Sequence, residues 1–367
     1  MSNKKFWQGI AIMTGCIIGG GVLALPYAVA QTGFWPALLL IIILGVVMLL
    51  INLRIGEINI ALKKPHQVVG LVEKFLGKTG KNLMILAMLL LSYGALIAYS
   101  IGSAEILSMI GGNEIVWRIA FYLVGAFVVA KGIQVVGGSE LFLETIKLTI
   151  VGIIVMLGMG VDSVNTAAFT GFTLKGIGMV FGVSLFAYLG LVSVPEVYEL
   201  LQEKKKLKKI ILIGSIIPII VYVLFVATVI SKTGSTTTEV ATIGLQNHFT
   251  PFVWVLINVF ALLALATSFL AVSYSVYEMF FSDLMMKKRK AFIFAFLPPL
   301  VGMIFLESFV KTIDLAGAVA GSTMTILLIF SHRAARKKHR KISQIPLIID
   351  IVLVSLFILG ALFTFLT

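Results

Sequence analysis

Long uncharged stretches alternate with short loops that hold most of the Lys, Arg, Asp and Glu. The apolar runs are each about 16 to 27 residues long, close to the ~20 residues that a helix needs to cross the hydrocarbon of a bilayer. The pattern predicts eleven spans, at 6–30, 34–56, 82–110, 115–131, 139–160, 174–200, 208–230, 250–281, 291–307, 313–332 and 345–366. The first run follows two lysines and has no small-residue cleavage site ahead of a soluble domain, so it reads as a permanent helix. No separable soluble domain is left. The expected class is an all-α polytopic membrane protein forming one transmembrane domain, 1–367.

Composition agrees with the pattern. Hydrophobic residues make up 59% of the 367 and charged ones 12%, against roughly 25% charged in soluble domains, which excludes an ordinary water-soluble enzyme. The net charge of +13 raises nucleic acid as a partner, and the placement of the basic residues removes it. Lys4 and Lys5, then Lys63, Lys64, Lys74, Lys78 and Lys81, then Lys131 all fall on one side of the predicted spans. So do Lys204, Lys205, Lys206, Lys208 and Lys209, then Lys287, Lys288, Arg289 and Lys290, then Arg333, Arg336, Lys337, Lys338, Arg340 and Lys341. The opposite loops hold Arg118, Lys175, Lys232 and Lys311. Basic residues stay cytoplasmic during insertion, so the N-terminus is expected inside and the C-terminus outside a cytoplasmic membrane. A basic excess divided among short loops forms no nucleic-acid surface.

Two spans carry breaks. In the first, Gly19, Gly20 and Gly21 follow Gly15, Cys16, Ile17 and Ile18 and lead to Pro26. Three adjacent glycines cost a helix about 3 kcal/mol relative to alanine, and backbone freed inside a membrane needs protein, water or ligand to satisfy it. Gly15 and Gly19 also form a G-xxx-G pair, which serves close helix packing. The sixth span repeats glycine then proline, from Gly182 through Phe186, Ala187, Tyr188 and Gly190 to Pro195. Five helices separate the two, and an odd repeat inserts its second copy upside down. The expected repeats are 1–160 and 172–332, with an extra helix at 345–367. Interrupted segments at matching places in inverted halves point to a transporter's midplane site. Second half-helices starting near Gly21 and Gly190 would offer N–H groups and positive dipole to a carboxylate, and the ends of the first half-helices would suit a cation. An amino acid fits both.

The run Gly19 to Tyr27, the Gly33-Phe34-Trp35 turn, the stretch Ser92 to Tyr99 and the stretch Phe186 to Glu196 resemble the amino acid/auxin permease family. That family lies in the amino acid-polyamine-organocation superfamily, close to the hydroxy/aromatic amino acid permeases. The resemblance implies the five-plus-five inverted-repeat transporter fold with helices 1 and 6 broken, and secondary transport of amino acids. Gly190 is followed by Leu191, where members often carry Gly-His. The resemblance also admits an amino-acid sensor on the same scaffold, as in spore germinant-receptor subunits.

Candidate substrate contacts are Ile18, Gly19, Gly20, Gly21, Tyr99, Phe186, Ala187, Tyr188 and Gly190. Lys147 in span five is the candidate for proton coupling, because burial favours proton release from lysine; pairing with Glu144 or snorkelling to the interface is the structural alternative. In proton-coupled relatives of the resembled superfamily, a fifth-helix lysine stands where others bind sodium. Thr267 and Ser268 offer oxygen atoms suited to sodium, although membrane hydroxyls commonly bond their own backbone. Arg54 and Glu57 are expected to pair, and Asp350 to lie at the interface. No metal, cofactor or obligatory protein partner is expected beyond substrate, coupling ion and lipid. His66, His248, His332 and His339 fall in loops or at span ends, no H-E-x-x-H, G-x-S-x-G or Walker A motif occurs, and the sole thiol, Cys16, has no placed base. An enzyme is not expected.

Overall fold

A computed structural model describes residues 2–63, 66–131, 149, 151–156, 171, 173–201, 204–339 and 342–366. Thirteen helices are labelled here. They are α1 (Ser2–Ile17), α2 (Leu25–Thr32), α3 (Phe34–Leu62), α4 (Val68–Ser108), α5 (Glu114–Ala130), α6 (Ile177–Ala187) and α7 (Ser193–Leu200). The rest are α8 (Leu207–Thr233), α9 (Pro251–Glu278), α10 (Lys288–Gly302), α11 (Phe309–Leu315), α12 (Ser322–Lys338) and α13 (Leu347–Leu366). Six helical runs among the described residues are long and apolar enough to cross a membrane, and the pair Lys4–Ile17 and Gly20–Thr32 forms a further span bent by 49°. Described helix overlaps every predicted span, the fifth only at 149 and 151–156, while α5, α6, α7 and α10, over the fourth, sixth and ninth spans, are shorter than those crossing runs.

α3 shows why these helices suit lipid. Ile41, Leu44, Met48, Ile51 and Ile55 are buried, while Leu39, Ile43, Val46 and Leu50 are exposed at helical spacing. A face that is apolar yet unpacked has hydrocarbon as its natural solvent. α13 is more peripheral still, with Asp350, Leu353 and Phe357 buried at i, i+3 and i+7 and most of its other side chains exposed.

Several expected boundaries shift. Gly77, with φ 73° and ψ −166°, kinks the run before span three, a conformation that glycine adopts at little cost. Lys74 and Lys81 are therefore helical rather than in a loop. α10 ends at Gly302, short of 307, and contains Pro298 and Pro299. Pro298 leaves the Phe294 carbonyl without its helical donor, and the Tyr93 hydroxyl of α4 donates to it at 2.6 Å. Pro218 does the same to Gly214 in α8, where Thr14 of α1 donates at 3.4 Å. The carbonyls freed by Pro298 and Pro218 are thereby tied to a neighbouring helix.

The expected Arg54–Glu57 pair is not formed. Arg54 instead reaches Asp350 Oδ1 at 2.8 Å, and Arg336 reaches Asp350 Oδ2 at 2.8 Å. Asp350 is 3% exposed, so it is a buried bridge between α3, α12 and α13. Glu57 lies one helical turn away and takes Lys208 at 2.6 Å, the Ser343 hydroxyl at 2.6 Å and His332 Nε2 at 3.4 Å. Three residues on one helix allow contact but do not compel it; partners from other elements reach both groups with better geometry.

Candidate functional site

α1 stops at Ile17. Gly19 is extended (φ −109°, ψ −156°), and Gly20–Leu23 form a single 3-10 turn before α2. The Gly19 N–H donates to the Ile17 carbonyl at 2.9 Å, a tight reversal that ends the α-helical register. On the other side α6 stops at Ala187 and α7 begins at Ser193, so the second half-helix starts three residues later than Gly190, where the glycine pattern alone put it. Tyr188, Gly190 and Ser193 close that gap with short-range bonds: Gly190 N–H to Tyr188 O at 2.8 Å, and Ser193 Oγ to Gly190 O at 2.6 Å.

The two breaks press on each other reciprocally. A Cβ on Gly21 would meet Ala187 Cα and Phe186 Cδ1 at 3.1 Å, and a Cβ on Gly190 would meet Ile17 Cγ1 at 2.6 Å. Each break thus presents a glycine to the other's last helical turn. Tyr222 of α8, fully buried, lies across both, its hydroxyl 2.7 Å from the Ile17 carbonyl and 3.0 Å from the Ala187 carbonyl. One hydroxyl has one proton to donate, so it is shared between the two helix ends; the Ile17 carbonyl also accepts from the Gly19 N–H, and the Ala187 carbonyl keeps a lone pair. The Leu23 carbonyl at the far end of the 3-10 turn accepts from the Ala241 N–H at 3.1 Å, bringing the loop after α8 down onto the first break.

Gly19 and Gly20 face elsewhere. A Cβ on Gly20 would stand 2.6 Å from Tyr99 Cε1 and 2.7 Å from Leu265 Cδ2, and one on Gly19 3.3 Å from Ser268 Oγ and 3.8 Å from the Tyr99 hydroxyl. Phe186 meets Tyr99 edge to face, with centroids 6.3 Å apart. Of the residues expected at the site, Gly19, Gly20, Gly21, Tyr99, Phe186, Ala187 and Ser268 therefore converge around the first break, and Ile18 is buried within it. Gly190 belongs to the second break. Tyr188 is turned to another quarter: a Cβ on Gly45 would lie 2.9 Å from Tyr188 Cζ, and its ring centroid is 5.0 Å from that of Tyr222. The Thr267 hydroxyl donates to the Ala264 carbonyl of its own helix at 3.1 Å, leaving Ser268 as the member of that pair that faces the break. Lys147 lies outside the described residues.

Tyr222 and Ala241 were not among the sequence-derived candidates. No spacing marks either, because a tyrosine in a span and a loop alanine acquire these roles only through the packing of α8 and its following loop. No group of three or more metal-ligating side chains forms among the described residues.

The tryptophan/tyrosine permease family profile matches residues 2–365. The chain belongs to that family. This corrects the amino acid/auxin permease assignment suggested by the first and sixth spans; those motifs encode the backbone breaks, which related but distinct families share. Relatives include "Glutamine transporter 2" of Aliivibrio fischeri, 25% identical over 337 residues and covering 86% of each chain. Another is "Tyrosine-specific transport system 2" of Haemophilus influenzae, 28% identical over 366 residues, covering 89% of this chain and 87% of that one. Among solved structures, MhsT in complex with L-phenylalanine aligns with a TM-score of 0.69 at 15% identity, covering 98% of this chain and 97% of the other. The inward-facing conformation of Mhp1 aligns at 0.65 and 14% identity, covering 99% and 88%. The fold of this permease is the five-plus-five inverted-repeat transporter fold with helices 1 and 6 broken. Family and relatives together make it a multi-pass membrane transporter of the amino acid permease type, not an enzyme.

Proposed function

We propose that this permease is a secondary active transporter of amino acids in the cytoplasmic membrane, driven by a proton gradient, with substrate bound at the first break where it meets the sixth helix. The observation that carries the reading is the convergence of Gly19, Gly20 and Gly21 with Tyr99, Phe186 and Ser268 at one place midway along broken spans. Gly20 and Gly21 head the 3-10 turn, and the leading N–H groups of a helical turn have no partner within it, which suits a substrate carboxylate. The Ala187 carbonyl, with a lone pair beyond the one that Tyr222 engages, suits the ammonium group. Tyr99 and Phe186 form an aromatic wall for the side chain, in keeping with relatives named for tyrosine and glutamine transport.

In this reading the N-terminus is cytoplasmic and the C-terminus outside, on the strength of the basic loops. Lys147 remains the candidate proton carrier in the fifth span. Sodium coupling is a second reading, favoured by one observation: Ser268 Oγ faces Gly19, an oxygen beside broken backbone, as a hard cation requires.

Uptake of labelled tyrosine, tryptophan and glutamine by proteoliposomes, under separate inward proton and sodium gradients, tests the function. Accumulation under the proton gradient, abolished by a protonophore and by Lys147→Ala, is the expected result. Drive by sodium that Ser268→Ala removes would establish the second reading. Absence of flux under both gradients, with amino-acid-dependent thermal stabilisation of the same protein, would replace transport by sensing.

A further inference from the structure

Between Leu315 and Ser322 the tenth span widens into a π turn, Ala316–Gly321, and this part of the span lies against α6 with almost no side chain between. A Cβ on Gly317 would stand 2.0 Å from the Gly182 carbonyl oxygen and 2.9 Å from Phe186 N. A Cβ on Gly182 would stand 2.0 Å from Asp314 Oδ1 and 2.4 Å from the Asp314 carbonyl oxygen. Asp314 is 7% exposed, and its Oδ1 has no hydrogen-bond partner among the described residues.

The surroundings supply no described counter-charge. α6 and the π turn contain no ionisable side chain. The apolar part of α4 offers Tyr93, Tyr99 and Glu105, and Glu105 sits with Glu239, Glu114 and Arg118. Glu239 is engaged by Ser308 and the Val310 N–H, Asp350 of α13 by Arg54 and Arg336, and Lys311 on α11 is exposed. An ionised carboxylate without a partner in such a seam is strongly disfavoured, so the group is either neutral there or reached by water.

We propose that Asp314 carries a coupling proton, separately from Lys147, and that protonation holds the seam between α6 and the tenth span closed. The proposal rests on the proton-driven reading above. A proton from water on the side to which the site is open forms an O–H bond on a carboxylate oxygen as the seam closes. The same bond breaks to water on the other side when the seam parts. Phe186 is one helical turn beyond Gly182 and faces Tyr99 across the candidate site, so opening or closing the seam moves the aromatic wall of the site.

The test compares wild type with Asp314→Asn, which keeps the shape of a neutral carboxyl. The variant is expected to lose about tenfold or more of its accumulation under a proton gradient, the scale of an ordinary coupling free energy, while exchange of labelled for unlabelled substrate across the membrane persists. Accumulation equal to wild type overturns the assignment of Asp314 alone; a wild type indifferent to the proton gradient overturns the parent reading as well. Should the variant fail to fold, wild-type protein treated with dicyclohexylcarbodiimide, an apolar reagent for protonated carboxyls, decides. Inhibition with the adduct mapped to Asp314 supports the proposal, and inhibition with Asp314 unmodified overturns it.

Discussion

Gly182→Ala is expected to abolish transport and to lower the melting temperature of the detergent-solubilised protein. The added methyl would fall 2.0 Å from Asp314 Oδ1, 2.4 Å from its carbonyl oxygen and 3.0 Å from its carbonyl carbon. Two of those atoms are main chain and cannot rotate away, so α6 and the tenth span must separate. Overpacking costs about 1–3 kcal/mol where side chains can yield; with backbone in the way the cost should reach or pass the top of that range. By contrast, Gly70→Ala meets nothing within 4 Å and should leave both readouts near wild type. A Gly182→Ala protein with unchanged melting and uptake would mean that the two helices do not approach as described.

Asp350→Ala should be strongly destabilising as well. It leaves Arg54 and Arg336, both largely buried, without the carboxylate that each meets at 2.8 Å. Removing one partner of a buried ionic group costs about 3–5 kcal/mol, because the remaining charge stays desolvated. Arg336 also donates to the Ile345 carbonyl, so losing the bridge should loosen the approach of α13 as well. Thermal unfolding in detergent and limited proteolysis near 339–346 are the measurements; melting within a degree or two of wild type would show that the bridge contributes nothing to holding the helices together.

The sequence was most legible where the chemistry is one-dimensional. Spans follow from the length of uncharged runs, and Gly19 to Gly21 announced a break because glycine's cost in a helix is local. The exact place of the break was not legible: Gly20 and Gly21 still turn in a 3-10 helix, and the sixth-span irregularity runs past Gly190 because Ser193 closes on the Gly190 carbonyl. Polar pairing was the least legible. Arg54 and Glu57 are neighbours in sequence, yet their partners arrive from 151 to 296 residues away. Asp314 falls in the first turn of the predicted span ten and nothing in the sequence singles it out; only the close approach of Gly182 reveals that its side chain is enclosed. Family membership was legible only as far as the shared breaks, and the full-length profile match was needed to separate tryptophan/tyrosine permeases from their relatives.

The most direct test of substrate binding at the first break uses the only cysteine of the chain. Cys16 is exposed in the last turn of α1, three residues before Gly19, so the unmodified protein reports on its own site. The rate of Cys16 alkylation by a small maleimide, followed by intact mass, should fall in proportion to occupancy as a transported amino acid is added, and should not respond to its D-enantiomer. An alkylation rate unchanged at saturating substrate would place the binding site away from the paired breaks and contradict the account.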